Sequence, residues 1–209
     1  MTNTQNLTLF HAPNTRSTGA LILLEELGVD YQLHVLNLKI SEERKPEFIA
    51  INPMTKVPTI LHGETVVTEQ VAIFLYLADE FPQAGLAPKI GDPLRGPYLR
   101  WMAFYAGCFE PALIDRAQKR EPAPVTMSPY GDFDTMYNTV LEQLGRGLYL
   151  LGDQFSAADV LWATALTWTT MFKLIPATPV TQAYMDRVNV RPAVLRAREK
   201  DAVLAAAQS

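Results

Sequence analysis

The first 80 residues set strand-like runs against helical runs in an order that few folds can satisfy. Leu7 to Phe10 is a short β-rich run closed by His-Ala-Pro-Asn. Ser17 to Leu27 follows as a helix, with Ala20, Leu23, Leu24 and Leu27 at helical spacing and Gly28 as its C-terminal cap. Tyr31 to Leu38 alternates in part and reads as a half-buried strand. A helix between these two strands makes them parallel. Val57 to Leu61 and Thr65 to Val67 are instead joined by only His62-Gly63-Glu64. So short a link makes them antiparallel neighbours, because a parallel crossover needs roughly a dozen residues. Ser41 to Ala50 reads as a short polar helix with Ser41 as a partial N-cap. Gln70 to Glu80, apolar nearly all round, reads as a helix buried between the sheet and a second layer. The predicted order is βαβαββα around a mixed four-stranded sheet, an α/β domain.

Phe81 to Gly91 breaks the pattern with Pro82, Gly85, Pro88 and Gly91, a linker composition. Beyond it the chain reads as helices only. Asp92 starts one as N-cap, with Pro93 at its first position, and it runs towards Gln118 with Pro97 and Pro111 as disturbances. Glu121 to Tyr130 is a Pro-rich loop. Asp132 to Gly147, Ser156 to Met171, Pro179 to Val188 and Pro192 to Ala207 complete an all-α bundle. The expected division is 1–81 for the α/β domain, 82–91 for the linker and 92–209 for the helical domain.

Composition narrows the function. A net charge of -4 without a Lys/Arg cluster argues against a nucleic-acid partner. The single cysteine, Cys108, excludes an internal disulfide and a Cys-rich zinc site. His11, His34 and His62 lie in different elements without ligand spacing, so no metal is expected. Apolar runs are interrupted well before the ~18 residues that span a bilayer, so no membrane partner is expected either. Met1 to Asn6 is polar and uncharged, unlike a secretory leader, and the expected location is cytoplasmic.

Three local signals coincide in the first domain. Asn52-Pro53-Met54-Thr55-Lys56-Val57-Pro58 places a Val-Pro pair at the mouth of a strand. A cis bond there would turn the Val57 peptide groups outward, towards an extended peptide-like ligand; an ordinary edge proline is the alternative. Thr68-Glu69-Gln70 opens a helix, whose free N–H groups suit a carboxylate, while Glu69 and Gln70 suit an ammonium and an amide or carboxylate. Plain capping by Thr68 or Glu69 is the alternative. Asn14-Thr15-Arg16-Ser17 opens the first helix with hydroxyls and N–H groups that would stabilise a thiolate, or simply caps it through Ser17.

These motifs, with Phe155-Ser156-Ala157-Ala158-Asp159 as a capping box further on, resemble those of the cytosolic glutathione transferase superfamily over essentially the whole chain. The resemblance implies a thioredoxin-like first domain that binds reduced glutathione as co-substrate. Val57, in the cis-proline segment with Pro58, would clamp the cysteinyl backbone. Glu69 would bind the γ-glutamyl ammonium, Gln70 the γ-glutamyl carboxylate in place of the usual Ser, and Lys56 would approach the glycyl carboxylate. Ser156 and Asp159 would be structural. At the thiol the family places Tyr, Ser or Cys, and this chain has none in the matching position. The candidates are Thr15, then Asn14, then Ser17 and Arg16, with His11 as an outsider.

A second, apolar substrate would lie between the first loop and the helix Asp92 to Gln118, which carries Arg100, Trp101, Phe104, Tyr105 and Cys108. A bundle core is the competing use of those aromatic residues. The resemblance implies a homodimer that conjugates glutathione to a small electrophile. The alternatives are a glutathione-dependent isomerase or dehalogenase, and a non-catalytic binding or regulatory protein. With no cysteine in the first loop, chemistry through a mixed disulfide should be poor.

Overall fold

The computed structural model describes residues 6–121 and 123–208. The reading of Met1 to Asn6 therefore falls, apart from Asn6, outside the described residues, as does Pro122 of the expected loop. Two compact units divide the chain: Met1–Gly85 with Val190–Ser209, and Leu86–Asn189.

The first unit is built on a four-stranded mixed sheet in the order β2-β1-β3-β4, with β1 Leu7–His11, β2 Gln32–Val35, β3 Thr59–His62 and β4 Thr65–Val67. β1 runs parallel to β2 and antiparallel to β3, and β3 antiparallel to β4, as the connection lengths require. α1 (Ser17–Leu27) and α3 (Gln70–Glu80) pack on one another. α1 buries Ala20 to Leu24 and Leu27, and Gly28 ends it at φ 65, a backbone region open to glycine. α3 buries one face, Ile73, Phe74, Leu77 and Ala78, rather than its whole circumference. β3 starts two residues later than expected, because Pro58 has no N–H for the ladder.

The helix expected over Ser41 to Ala50 is instead two 3-10 turns, Leu38–Ile40 and Glu42–Arg44, and a four-residue α2, Pro46–Ile49. Pro46 causes the break: it disfavours a helical residue before it, and Lys45 sits at ψ 146. Ser41 adopts φ 56 and its hydroxyl makes no capping hydrogen bond; its N–H instead closes the first turn on the Leu38 carbonyl. Phe48 of α2 closes a small core with Phe10 and Leu36.

The last helix, α9 (Pro192–Ala207), groups with the first unit, whereas its place in the sequence had put it with the helical domain. It lies against α1 and buries Ala193, Val194 and Ala197. Charges secure it. Arg191 holds Glu26 through Nε and Nη2 at 2.6 and 2.7 Å. Glu25 accepts from Arg196 at 2.9 Å, Lys200 at 2.5 Å and Tyr31 at 2.6 Å. Burial alone would raise the Glu25 carboxyl, but the hydrogen bonds from Lys200, Tyr31 and Arg196 outweigh it and bring it down to about 2. A folded value below the unfolded 4.5 stabilises in full above that pH and is lost as the pH falls towards 2. Glu25→Gln should therefore be less stable than the native chain at neutral pH and show a flatter loss between pH 4.5 and 2. Denaturant titrations across that range measure both.

The second unit is all helical: α4 (Arg95–Phe104), α5 (Glu110–Ala117), α6 (Phe133–Leu144), α7 (Ala157–Met171) and α8 (Pro179–Asn189). The helix expected from Asp92 begins at Arg95, because Asp92 closes a turn, its Oδ1 accepting from Leu94 N–H at 2.8 Å. It then widens into a π turn over Tyr105–Phe109, where Glu110 N–H reaches the Tyr105 carbonyl. Pro111 accounts for this: it cannot donate to the Gly107 carbonyl and its ring would press against it. α7 is the core helix. Trp162 is fully buried among Trp101, Phe104, Tyr105 and Phe109 and donates from Nε1 to the Trp101 carbonyl at 3.0 Å. Ser156 N-caps α7 and donates both N–H and Oγ to Asp159 Oδ2 at 2.9 Å.

Candidate functional site

Sheet register brings the three first-domain signals together. Phe10 pairs with Thr59, and Ile60 with Val67. The chain leaving β1, entering β3 and leaving β4 therefore meets at one end of the sheet, where His11–Ser17, Lys56–Pro58 and Thr68–Gln70 lie. Gln70 Nε2 donates to the Arg16 carbonyl at 3.1 Å and so ties the start of α3 to the start of α1.

The Val57–Pro58 bond is cis. Buried Asn52 holds this loop: its Nδ2 donates to the Lys56 carbonyl and Thr59 Oγ1 at 3.0 Å, and its Oδ1 accepts from Met54 N–H. Among the described residues no hydrogen bond engages the Val57 N–H or C=O, so both remain for a ligand. Lys56 is exposed beside it. Glu69 is exposed at the N-cap of α3 with φ 66 and ψ 118, a region that non-glycine residues seldom occupy outside functional sites. Its carboxylate makes no capping bond, so capping does not explain it. Two helices thus direct their N-terminal N–H groups to one end of the sheet, a setting that favours anions.

The first loop differs from its expected form. Arg16, not Ser17, is the N-cap of α1, and it is exposed. Ser17 is fully buried and its hydroxyl turns inward, 2.8 Å from His11 Nδ1. Thr15 takes over the capping role, its Oγ1 accepting from Ser17 N–H at 3.2 Å while lying 2.7 Å from both the Ala12 carbonyl and Ser17 Oγ. Thr15 is half-buried, and Asn14 is exposed at φ 58, which asparagine tolerates better than most residues. His11, expected near the substrate, is fully enclosed and reaches no ligand. Its Nε2 lies 2.8 Å from Asp201 Oδ1 of α9, off the line of a good hydrogen bond. Asp201 also accepts from Asn14 N–H at 3.1 Å and Thr18 Oγ1 at 3.2 Å. Burial would raise its carboxyl, but the bonds from His11, Asn14 and Thr18 prevail and hold it below the usual range.

Sequence reasoning overlooked Asp201 and the anchoring role of Asn52. Asn52 has a local signal, an Asn-Pro turn ahead of a strand. Asp201 has none, lying 187 residues from the loop it holds.

In the second unit, Trp101 and Tyr105, expected to line a substrate pocket, are 1% and 4% exposed and belong mainly to the core around Trp162. The bundle's need for an apolar face claimed them. Phe104 is half-buried in the same cluster. Arg100 is exposed, stacks 4.3 Å over Trp101, and with it borders an open cleft of about 600 Å³ completed by Leu94, Pro97, Gln143 and Leu151. Half-buried Cys108 donates weakly to the Pro129 carbonyl at 3.5 Å, and burial pushes its thiol up despite nearby Arg100, so it is a poor nucleophile. Among the described residues no helix is long and apolar enough to cross a membrane, and no three His, Cys, Asp or Glu are grouped to hold a metal.

Comparison with known proteins agrees with this architecture. Residues 5–79 match the model of the glutathione S-transferase N-terminal domain and residues 111–192 that of the C-terminal domain. The disulfide-bond oxidoreductase YfcG of Escherichia coli (strain K12) is 28% identical over 199 residues, spanning 88% of this chain and 91% of its own. A glutathione transferase from Methylococcus capsulatus str. Bath superposes with TM-score 0.79 at 28% identity, covering 94% of this chain and 99% of its own. A sphingomonad glutathione S-transferase, solved in complex with glutathione, does so with TM-score 0.77 at 27% identity, covering 94% and 99%. With both domain models matched in order along most of its length, this chain belongs to the glutathione S-transferase superfamily.

Proposed function

We propose that this protein binds reduced glutathione in its first unit and conjugates it to a small, largely apolar electrophile. The convergence at one sheet end of an unengaged Val57 peptide, exposed Glu69 and the Thr15 hydroxyl supports this reading above all. Val57 would pair main chain to main chain with the cysteinyl residue. Glu69 would neutralise the γ-glutamyl ammonium, and Gln70 with the N-terminus of α3 would hold the γ-carboxylate. Lys56 would meet the glycyl carboxylate, and Thr15 would face the sulfur. Positioning and a favoured thiolate would then supply the rate. The homodimer and cytoplasmic location implied by the resemblance belong to the same proposal.

Calorimetric titration with reduced glutathione tests the site. Binding in the micromolar to low-millimolar range that weakens roughly 10-fold or more in Glu69→Ala is expected, since a charge-assisted hydrogen bond contributes about 1.5–3 kcal/mol. Absence of binding at two temperatures would leave a non-catalytic scaffold as the better account. Thiol–disulfide exchange is a second reading, favoured by the name of the Escherichia coli relative. With Cys108 held protonated, it would have to run through the sulfur of glutathione itself, and a disulfide substrate belongs in the electrophile screen.

A further inference from the structure

Thr15, Ser17, His11 and Asp201 follow one another from the first loop into the interior, with successive separations of 2.7, 2.8 and 2.8 Å, the last a close contact of His11 Nε2 with the Asp201 carboxylate and not an aligned hydrogen bond. Ser17 and His11 are fully buried and Asp201 is 5% exposed. A serine, histidine and aspartate in this order suggest a hydrolytic triad, but burial rules that out: no acyl carbon can reach Ser17 Oγ. Of the four, Thr15 alone is half-buried, at the start of α1, and its hydroxyl is the end of the line that lies in the first loop.

The direction of the hydrogen bonds follows from the far end. The Asp201 carboxylate draws the imidazole proton to Nε2. Nδ1 is then an acceptor, and the group facing it is the Ser17 hydroxyl, which must donate. Ser17 Oγ in turn accepts from Ala12 N–H at 3.1 Å and from the Thr15 hydroxyl, while the Ala12 carbonyl, 2.7 Å from Thr15 Oγ1 and 3.0 Å from Ser17 Oγ, is a second acceptor for both hydroxyl protons. When both hydroxyl protons turn along the line and not to the Ala12 carbonyl, every proton points inward and Thr15 presents a lone pair outward.

We infer that Thr15–Ser17–His11–Asp201 is a proton relay that accepts the proton of the glutathione thiol and leaves Thr15 as a donor to the resulting thiolate. The inference rests on the glutathione reading above. Thr15 Oγ1 takes the proton from sulfur as the S–H bond breaks. The former Thr15 proton passes to Ser17 Oγ, and the former Ser17 proton forms the Nδ1–H bond of His11. Each proton moves one place, no atom is lost, and the charges end as a thiolate and an imidazolium. Asp201 balances the imidazolium. The new Thr15 O–H points back at the sulfur, so a single shift both removes the proton and supplies the stabilising donor. Thr15 is the catalytic residue of this scheme; Ser17, His11 and Asp201 act through it.

The charged group facing His11 from α9 is Asp201, and the group facing it from α1 is the Ser17 hydroxyl, while Thr18 Oγ1 donates to Asp201. The neighbouring charges Glu25, Glu26, Arg191, Arg196 and Lys200 are paired with one another. In this scheme the imidazolium formed in the relay is stabilised by Asp201 alone.

Two measurements test the relay. In ring-nitrogen NMR of the native protein, with His34→Gln and His62→Gln variants to assign the signals, reduced glutathione should protonate His11 Nδ1. S-methylglutathione, which has no thiol proton, should not. Thiolate absorbance of bound glutathione, followed against pH, should show its thiol pKa raised by about one to three units in Asp201→Asn, with S-methylglutathione affinity unchanged. A purely structural role for Asp201 would move both ligands together. If both ligands bind the native protein but His11 Nδ1 stays unprotonated, or the bound thiol pKa is the same in Asp201→Asn, the relay is wrong and the glutathione site stands. If neither ligand binds, the glutathione reading itself fails and the relay with it.

Discussion

Replacing Asp159 with alanine is expected to destabilise the helical unit by about 3 kcal/mol or more, the largest structural effect of any single truncation proposed for this chain. Its two carboxylate oxygens are fully buried and serve four donors. Oδ2 accepts from Ser156 N–H and Oγ, and Oδ1 from Leu150 N–H and Tyr184 Oη, all at 2.9 Å. Burial outweighs these bonds and raises the carboxyl, so the residue contributes by keeping donors partnered and not by a favourable charge. Alanine leaves the Ser156 and Leu150 N–H groups stranded at the start of the core helix, each at about 1–3 kcal/mol, takes the acceptor from the Ser156 hydroxyl, and leaves Tyr184 Oη only the long contact with the residue-159 carbonyl. A loss of that size reduces the folding constant more than ~100-fold. Asp159→Asn retains the shape, yet its amide nitrogen would donate where donors already point, so it should recover only part. Denaturant unfolding followed by helical circular dichroism measures the difference. A cost below about 1 kcal/mol for alanine would mean that water enters and satisfies the orphaned groups.

Asp159 also shows which parts of this molecule are legible in its sequence. Ser156 and Asp159 are three residues apart, and a capping box needs no tertiary partner to be recognised. The β3–β4 hairpin and the parallel β1–β2 pair follow from connection length alone. The convergence of Val57, Glu69 and Thr15 follows once the register is fixed. Partner choice over long distances is not legible. α9 carries no marked apolar stripe in its sequence, and only the docked structure shows that its Ala193, Val194 and Ala197 are buried where it lies against α1. Trp101 and Tyr105 have the same composition whether they line a pocket or fill a core. Ser17 and His11 read as a cap and a loop residue because Asp201, the group that turns both inward, is remote in sequence.

Thr15→Val should lower the turnover of an activated aryl chloride by about 10²–10³-fold while leaving the affinity for reduced glutathione nearly unchanged, because removal of one donor from a developing anion carries that order of cost. The substitution is close in volume and deletes only the hydroxyl. In the free protein Oγ1 accepts from Ser17 N–H and lies 2.7 Å from the Ala12 carbonyl, so stability should fall by only about 1 kcal/mol and the variant should fold. The affinity is maintained because glutathione would be held by Val57, Glu69, Gln70 and Lys56, none of which Thr15 touches in these contacts. Thr15→Ser keeps the hydroxyl and should keep most of the rate. A free thiol with a pKa near 8.5 is mainly protonated at neutral pH, so a chain without tyrosine or cysteine in its first loop needs some other group to favour the thiolate. If Thr15→Val retained full turnover, that group would have to be Asn14, whose exposed side chain at φ 58 is the next polar group of the loop able to face the sulfur. The buried line behind Thr15 would then have no outlet to the site, and its role would reduce to fastening α9 to the first loop.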